Sequence, residues 1–74
     1  MAYEYPGAAG VLRLAKVRGR WLVHYMGRRA GGWASADVAA KSVAQHRSGL
    51  SEWDCRREPV PDDLLRWRPL GDSL

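Results

Sequence analysis

Six basic side chains, Arg13, Lys16, Arg18, Arg20, Arg28 and Arg29, lie between Leu12 and Arg29 with no Asp or Glu among them. Guanidinium and ammonium groups at this density suit one chemistry above all, the neutralisation of phosphate oxygens. They bracket the stretch GRWLVHYMGRR, residues 19–29, in which Trp21, Val23 and Tyr25 alternate with Leu22, His24 and Met26. Such alternation sends the two sets to opposite faces of a β-strand. A basic two-stranded ribbon fits the major groove of DNA, where arginines reach phosphates or guanine edges. Aromatics displayed on a sheet can instead stack on unpaired bases. The plainer alternative makes Trp21 and Tyr25 core residues and leaves the arginines solvated, as an Arg-, Ala- and Gly-rich composition from a GC-rich genome would also do. The aromatics are assigned to the core, because the chain has few other large side chains to fill one. The arginines stay open between the two readings.

No other constellation carries chemistry. The soft metal ligands His24, His46 and Cys55 are scattered and no pair has zinc-like spacing, so no metal site is predicted. There is no nucleophile elbow, no phosphate-cradling glycine motif and no carboxylate pair framed by apolar residues. Asp62-Asp63 reads as a helix start. Cys55 beside Arg56 and Arg57 reads as a small buried hydrophobe rather than a reactive thiol. Neither an enzymatic activity nor a cofactor is expected.

Seventy-four residues make one small domain. A chain this short buries about 60% of the surface its unfolded form exposes, so its stability is marginal. With a single cysteine, disulfides cannot compensate. Four tryptophans, Trp21, Trp33, Trp53 and Trp67, are expected to do so instead, each burying roughly 200 Å². The net charge of +4 is uneven: residues 1–51 carry eight basic side chains against two acids, and residues 52–74 carry four against six. That asymmetry suggests an anionic partner for the first half. The opening MAYEYPGAAG predicts no export signal, and no apolar stretch approaches the ~20 residues of a membrane span. A cytoplasmic protein with no membrane partner is expected.

The elements that must position these residues follow from local signals. Residues 1–9 read as a flexible tail, residues 10–70 as the domain, and residues 71–74 as a frayed end. Gly10 to Val17 is the first strand, Arg18-Gly19-Arg20 a tight turn, and Arg20 to Met26 the second strand. Gly27 to Gly32 is a loop or a short extra strand, with Trp33 as its anchor. Ser35 caps a helix over residues 36–47, with Asp37 complementing its dipole and Gly49 terminating it. Ala36, Ala39, Ala40, Val43 and the stem of Arg47 form its inward face, and Leu50 closes the end. Trp53 to Val60 suggests a third strand, held at an edge by Pro59 and Pro61. Pro61 to Trp67 reads as a short C-terminal helical turn whose Leu64, Leu65 and Trp67 plug the core. The expected fold is α+β: a three-stranded antiparallel sheet in β-β-α-β order with one helix packed on one face.

Gly19-Arg20-Trp21, Arg28-Arg29, Trp33, Ser35 and Ala39-Ala40 fall in one segment, residues 17–40, about a third of the chain. This segment resembles the N-terminal arm-binding domains of tyrosine-family phage integrases and, more distantly, the DNA-binding domain of plant ethylene-response factors. The resemblance implies a three-stranded sheet laid in the major groove with the helix behind it. The piece after Gly49 has no counterpart there; it is net acidic and can cover the sheet. The expected function is that of a small non-enzymatic nucleic-acid-binding protein, a phage or mobile-element regulator, using Arg13, Lys16, Arg18, Arg20, Arg28 and Arg29. The alternative is an inhibitor or adaptor that binds a larger protein through Trp and Arg contacts or the edge at Trp53 to Glu58.

Overall fold

In the computed structural model, which describes residues 2–8, 10–56 and 58–70, the chain folds as an α+β domain around an antiparallel sheet. The sheet has five strands rather than three: β1 (Ala2–Pro6), β2 (Val11–Val17), β3 (Arg20–Tyr25), β4 (Arg28–Trp33) and β5 (Arg68–Leu70), in the order β4-β3-β2-β1-β5. The helices are α1 (Ala36–Ala44) and the four-residue α2 (Ser51–Asp54), and Leu64–Arg66 forms one 3₁₀ turn.

Two tight turns set the register of β2, β3 and β4. Arg18 and Gly19 take φ of 52° and 81°, and Met26 and Gly27 take 50° and 79°. Left-handed backbone at both central positions matches the right-handed twist of the flanking strands. A bulge follows in β4, where Trp21 pairs with Trp33 but Leu22 pairs with Gly31. Gly31 has φ of 115°, and a Cβ there would fall within the Trp33 ring, so the indole occupies the place of the missing side chain.

Within the expected tail of residues 1–9, Ala2–Pro6 forms a strand. Ala2–Pro6 pairs with β2 along its whole length and with β5 on its other side, so β1 is an interior strand. Tyr3 and Tyr5 supply the physical reason: they pack against the core, where Tyr3 meets Trp21 at 5.9 Å and Tyr5 meets Trp67 at 5.7 Å between ring centroids. The segment expected as a strand from Trp53 is helical to Asp54, and none of the described residues from there to Val60 joins a strand, because the core takes Trp53 from a helix rather than a strand. Cys55 is therefore exposed rather than buried, and Arg57 lies outside the described residues, as do residues 71–74. Leu65 points to solvent at 91% exposure, while Leu64 packs on the core and Trp67 is buried.

Ser35 caps α1 as expected, its hydroxyl accepting from the Val38 N–H at 3.3 Å. The C-terminal end differs. His46, not Gly49, takes the left-handed position at φ 57°, with His46 N–H donating to Val43 O and Arg47 N–H to Ser42 O. That is the bond pattern of a glycine-type helix stop made by a histidine. The compensation is contact: the His46 ring stacks on Trp53, centroids 5.0 Å apart and planes 18° from parallel. Arg47, expected to lend its stem to the core, is exposed instead.

Trp53 is fully buried, meets Tyr25 edge-on at 5.4 Å, and donates its indole N–H to Val43 O at 2.9 Å. It adds a second donor to a helix-end carbonyl that also accepts from the His46 N–H. Asp54 beside it accepts from Ser48 N–H (2.9 Å), Ser48 Oγ–H (2.8 Å) and Gly49 N–H (3.0 Å), tying the loop to α2. Leu50, Trp53, Val60 and Trp67 join one core with α1 and with Leu12, Leu14, Trp21, Val23 and Tyr25 of the sheet.

Two outcomes follow. Trp53→Phe keeps the ring burial but loses the bond to Val43, at a cost of about 1–2 kcal/mol, whereas Trp53→Ala costs about 3–5 kcal/mol. Against a total of about 5 kcal/mol for a domain this size, urea melts should show a displaced transition for the first and no cooperative transition for the second. Removal of residues 1–6 should abolish the cooperative transition as well, where loss of a mere tail would leave the melt unchanged.

Candidate nucleic-acid interface

Antiparallel register decides which side chains share a face. The set Tyr3, Tyr5, Leu12, Leu14, Trp21, Val23 and Tyr25 faces α1 and is buried or packed against the core. The alternate set faces away. Its pairings form a row across all five strands: Arg68 beside Glu4, Glu4 beside Arg13, Arg13 beside His24, and His24 beside Arg29. A second row, Leu70, Ala2, Ala15, Leu22 and Gly31, runs parallel to it. Beyond that row, Val17 pairs with Arg20, whose guanidinium donates to Gly32 O at 3.4 Å. Among the described residues nothing covers this face, since the buried residues of the segment after Gly49 all belong to the core on the helix side.

The six basic residues predicted from the sequence divide accordingly. Arg13, Arg20 and Arg29 share the open face. Arg18 sits at the tip of the β2–β3 hairpin, where Lys16 is also exposed but on the helix side of the sheet, level with Trp21. Arg28 lies level with Tyr25 on the helix side and pairs with Glu52 of α2 at 2.6 Å. Its charge is committed within the fold. Two residues outside the predicted basic set join the face, His24 and Arg68. His24 follows from the two hairpin turns, because once Met26-Gly27 is recognised as a two-residue turn, His24 must sit between Arg13 and Arg29. Arg68 had no such signal, since β5 joins the sheet only through β1.

The electrostatics of the row are unequal from end to end. Glu4 is its one acid, 3.7 Å from Arg13 Nη2 and 3.4 Å from Arg68 Nη1. Arg29 has no carboxylate partner among the described residues. His24 Nε2 is shielded from solvent and has no hydrogen-bond partner. Burial, then Arg29, then Arg13 hold the His24 pKa below the ordinary histidine value. The row opens beside a shallow cleft of about 250 Å³ lined by Val11, Arg13, His24, Tyr25, Met26 and Gly27. Among the described residues no cluster of His, Cys, Asp and Glu is arranged to hold a metal ion, and no helix is long and apolar enough to cross a membrane.

Compared with protein-family models, with curated proteins and with solved structures, the chain matches none of them.

The depressed His24 pKa fixes the sign of one pH effect. Below its ordinary value of about 6.5 the unfolded chain takes up a proton that the folded His24 resists, so stability falls as pH drops through that point toward the folded pKa. His24→Gln removes this contribution. Thermal melts at about pH 7.5 and about pH 5 should show a smaller acid loss in the variant than in the parent chain. An equal loss in both would mean that His24 is not held neutral by the fold.

Proposed function

We propose that this chain binds nucleic acid through the phosphate backbone, using the open face of its sheet and the β2–β3 hairpin tip. The observation that carries this reading is Arg13, Arg20, Arg29 and Arg68 on one uncovered face against a single glutamate. Long arginine side chains on a broad twisted sheet reach successive phosphates without needing to read bases.

The geometry also narrows the mode. Tyr3, Tyr5, Trp21 and Tyr25 are turned to the helix side, so the open face offers no aromatic platform for unpaired bases, which favours a duplex. Five strands span roughly 19 Å, wider than the ~12 Å major groove. Insertion of the whole sheet, as the integrase-type resemblance implied, gives way to the hairpin tip alone, with Arg18 and Arg20 leading and Lys16 beside them.

A protein-binding reading rests on a different feature of the same face. Leu22 and Leu70 lie in its middle row, and Val11 (49% exposed) and Met26 (62% exposed) stand at one end. An apolar partner surface with an acidic rim would match it. The edge expected at Trp53 to Glu58 plays no part, because none of the described residues there forms a strand; the outer strands of the sheet are β4 and β5.

Titration of a short DNA duplex at several salt concentrations separates the two. Binding should weaken steeply with salt, and Arg13→Gln with Arg29→Gln should lower the slope of log K against log salt by about two. Arg28→Gln, already neutralised by Glu52, should leave the slope unchanged, and Glu4→Gln, which releases Arg13 and Arg68, should tighten binding. A slope indifferent to Arg13 and Arg29, alongside capture of one partner protein from nuclease-treated lysate, would replace nucleic acid with protein as the ligand.

A further inference from the structure

We propose that Arg13, His24 and Arg29 form a seat for one phosphodiester group, and that His24 takes up a proton when the seat fills. The proposal deepens the reading above, from which it takes the nucleic-acid backbone as the source of the phosphodiester.

The three residues are direct register neighbours on β2, β3 and β4. Arg13 and Arg29 are two strand spacings apart, roughly 10 Å, so both side chains are long enough to reach over the shorter imidazole between them once Arg13 leaves Glu4. A phosphate set there meets a guanidinium from each side and Nε2 from beneath. His24 Nε2 is shielded from solvent and has no hydrogen-bond partner among the described residues, and an unpaired buried nitrogen is costly enough to call for one. The side chains that can give way around it are the exposed Arg13 and Met26, which also line the adjoining cleft.

The charges facing His24 account for the proton. Arg29 from β4 and Arg13 from β2 oppose its protonation, and Glu4 of β1, one position farther along the row, spends its carboxylate on Arg13 and Arg68. A bound phosphodiester cancels the repulsion of both arginines and accepts a hydrogen bond from Nε2–H. The anion and the proton therefore bind cooperatively, each raising the affinity of the other by the same factor. The site is weak when His24 is neutral and strong when it is charged.

Dimethyl phosphate is the probe, because it stays singly charged between about pH 5 and about pH 8, the range in which histidine titrates. NMR titration of the imidazole signals should show the His24 pKa rising as dimethyl phosphate is added at constant ionic strength. Arg13→Gln with Arg29→Gln should abolish the rise. A His24 pKa indifferent to dimethyl phosphate, or raised equally by chloride, overturns the seat. With a DNA duplex, a tenfold gain in His24 proton affinity is matched by up to about tenfold tighter binding at the acid end of the range, and His24→Gln should flatten that dependence. Duplex binding that ignores pH in the parent chain refutes the proton uptake and leaves the backbone-binding reading standing. A His24 response to dimethyl phosphate without any duplex binding does the reverse: the seat stands and its ligand is a smaller phosphodiester.

Discussion

The fold depends on burying Trp53 beneath the sheet while its indole N–H bonds to the Val43 carbonyl at the end of α1. Three problems are solved by that one side chain. It is fully buried and, with Trp67, supplies the largest volume in a core shared with the small residues of α1 and with Leu12, Leu14, Trp21, Val23 and Tyr25 of the sheet. It gives the last turn of α1 a donor for Val43 O. Its flat face lets His46 stack, which makes a left-handed histidine tolerable where a glycine would ordinarily stand. Asp54 next to it then pins the Ser48-Gly49 loop with three hydrogen bonds. A short chain without a disulfide ties its helix to its sheet in this way.

One-sided packing has a consequence for charge. A five-stranded sheet has two faces, and this chain has enough large apolar side chains to cover one of them. All the described Trp and Tyr residues are buried or packed against the core, and Trp33 among them also takes the place of the side chain that Gly31 lacks at the bulge. The other face receives what remains: alanine, valine, leucine and the arginines of alternate strand positions. Positive charge gathers there because alternation that sends Trp21 and Tyr25 inward necessarily sends Arg20, His24 and, across the pair, Arg13 and Arg29 outward. Core formation and the candidate interface are thus the two halves of a single register.

The same register sets limits on the interface. Glu4 draws Arg13 and Arg68 toward one edge of the sheet, while Arg29 at the other has no carboxylate partner among the described residues, so the positive field is strongest toward β4 and the hairpin tip. Arg28, although adjacent in sequence to Arg29, faces the helix side and holds α2 through Glu52. Neighbouring residues in a strand serve opposite purposes, one in structure and one in display.

By itself the sequence determined what short-range rules govern. The β2–β3 hairpin, the inward set Trp21, Val23 and Tyr25, the serine cap of α1 and its small-residue inner face all follow from periodicity, turn chemistry and capping, which act within a few residues. Half of the candidate face was legible in the same way, since Arg13, Arg20 and Arg29 alternate with core positions. Tertiary structure decided the rest. Whether Ala2–Pro6 is a tail or an interior strand depends on β2 offering an edge and on β5 arriving from more than sixty residues away. Whether Trp53 belongs to a strand or a helix depends on the hole that α1 and Tyr25 leave for it. Whether Arg28 is free or paired depends on where α2 brings Glu52. In each case the deciding partner is distant along the chain, and local pattern carries no information about a contact whose energy exists only once both sides are in place.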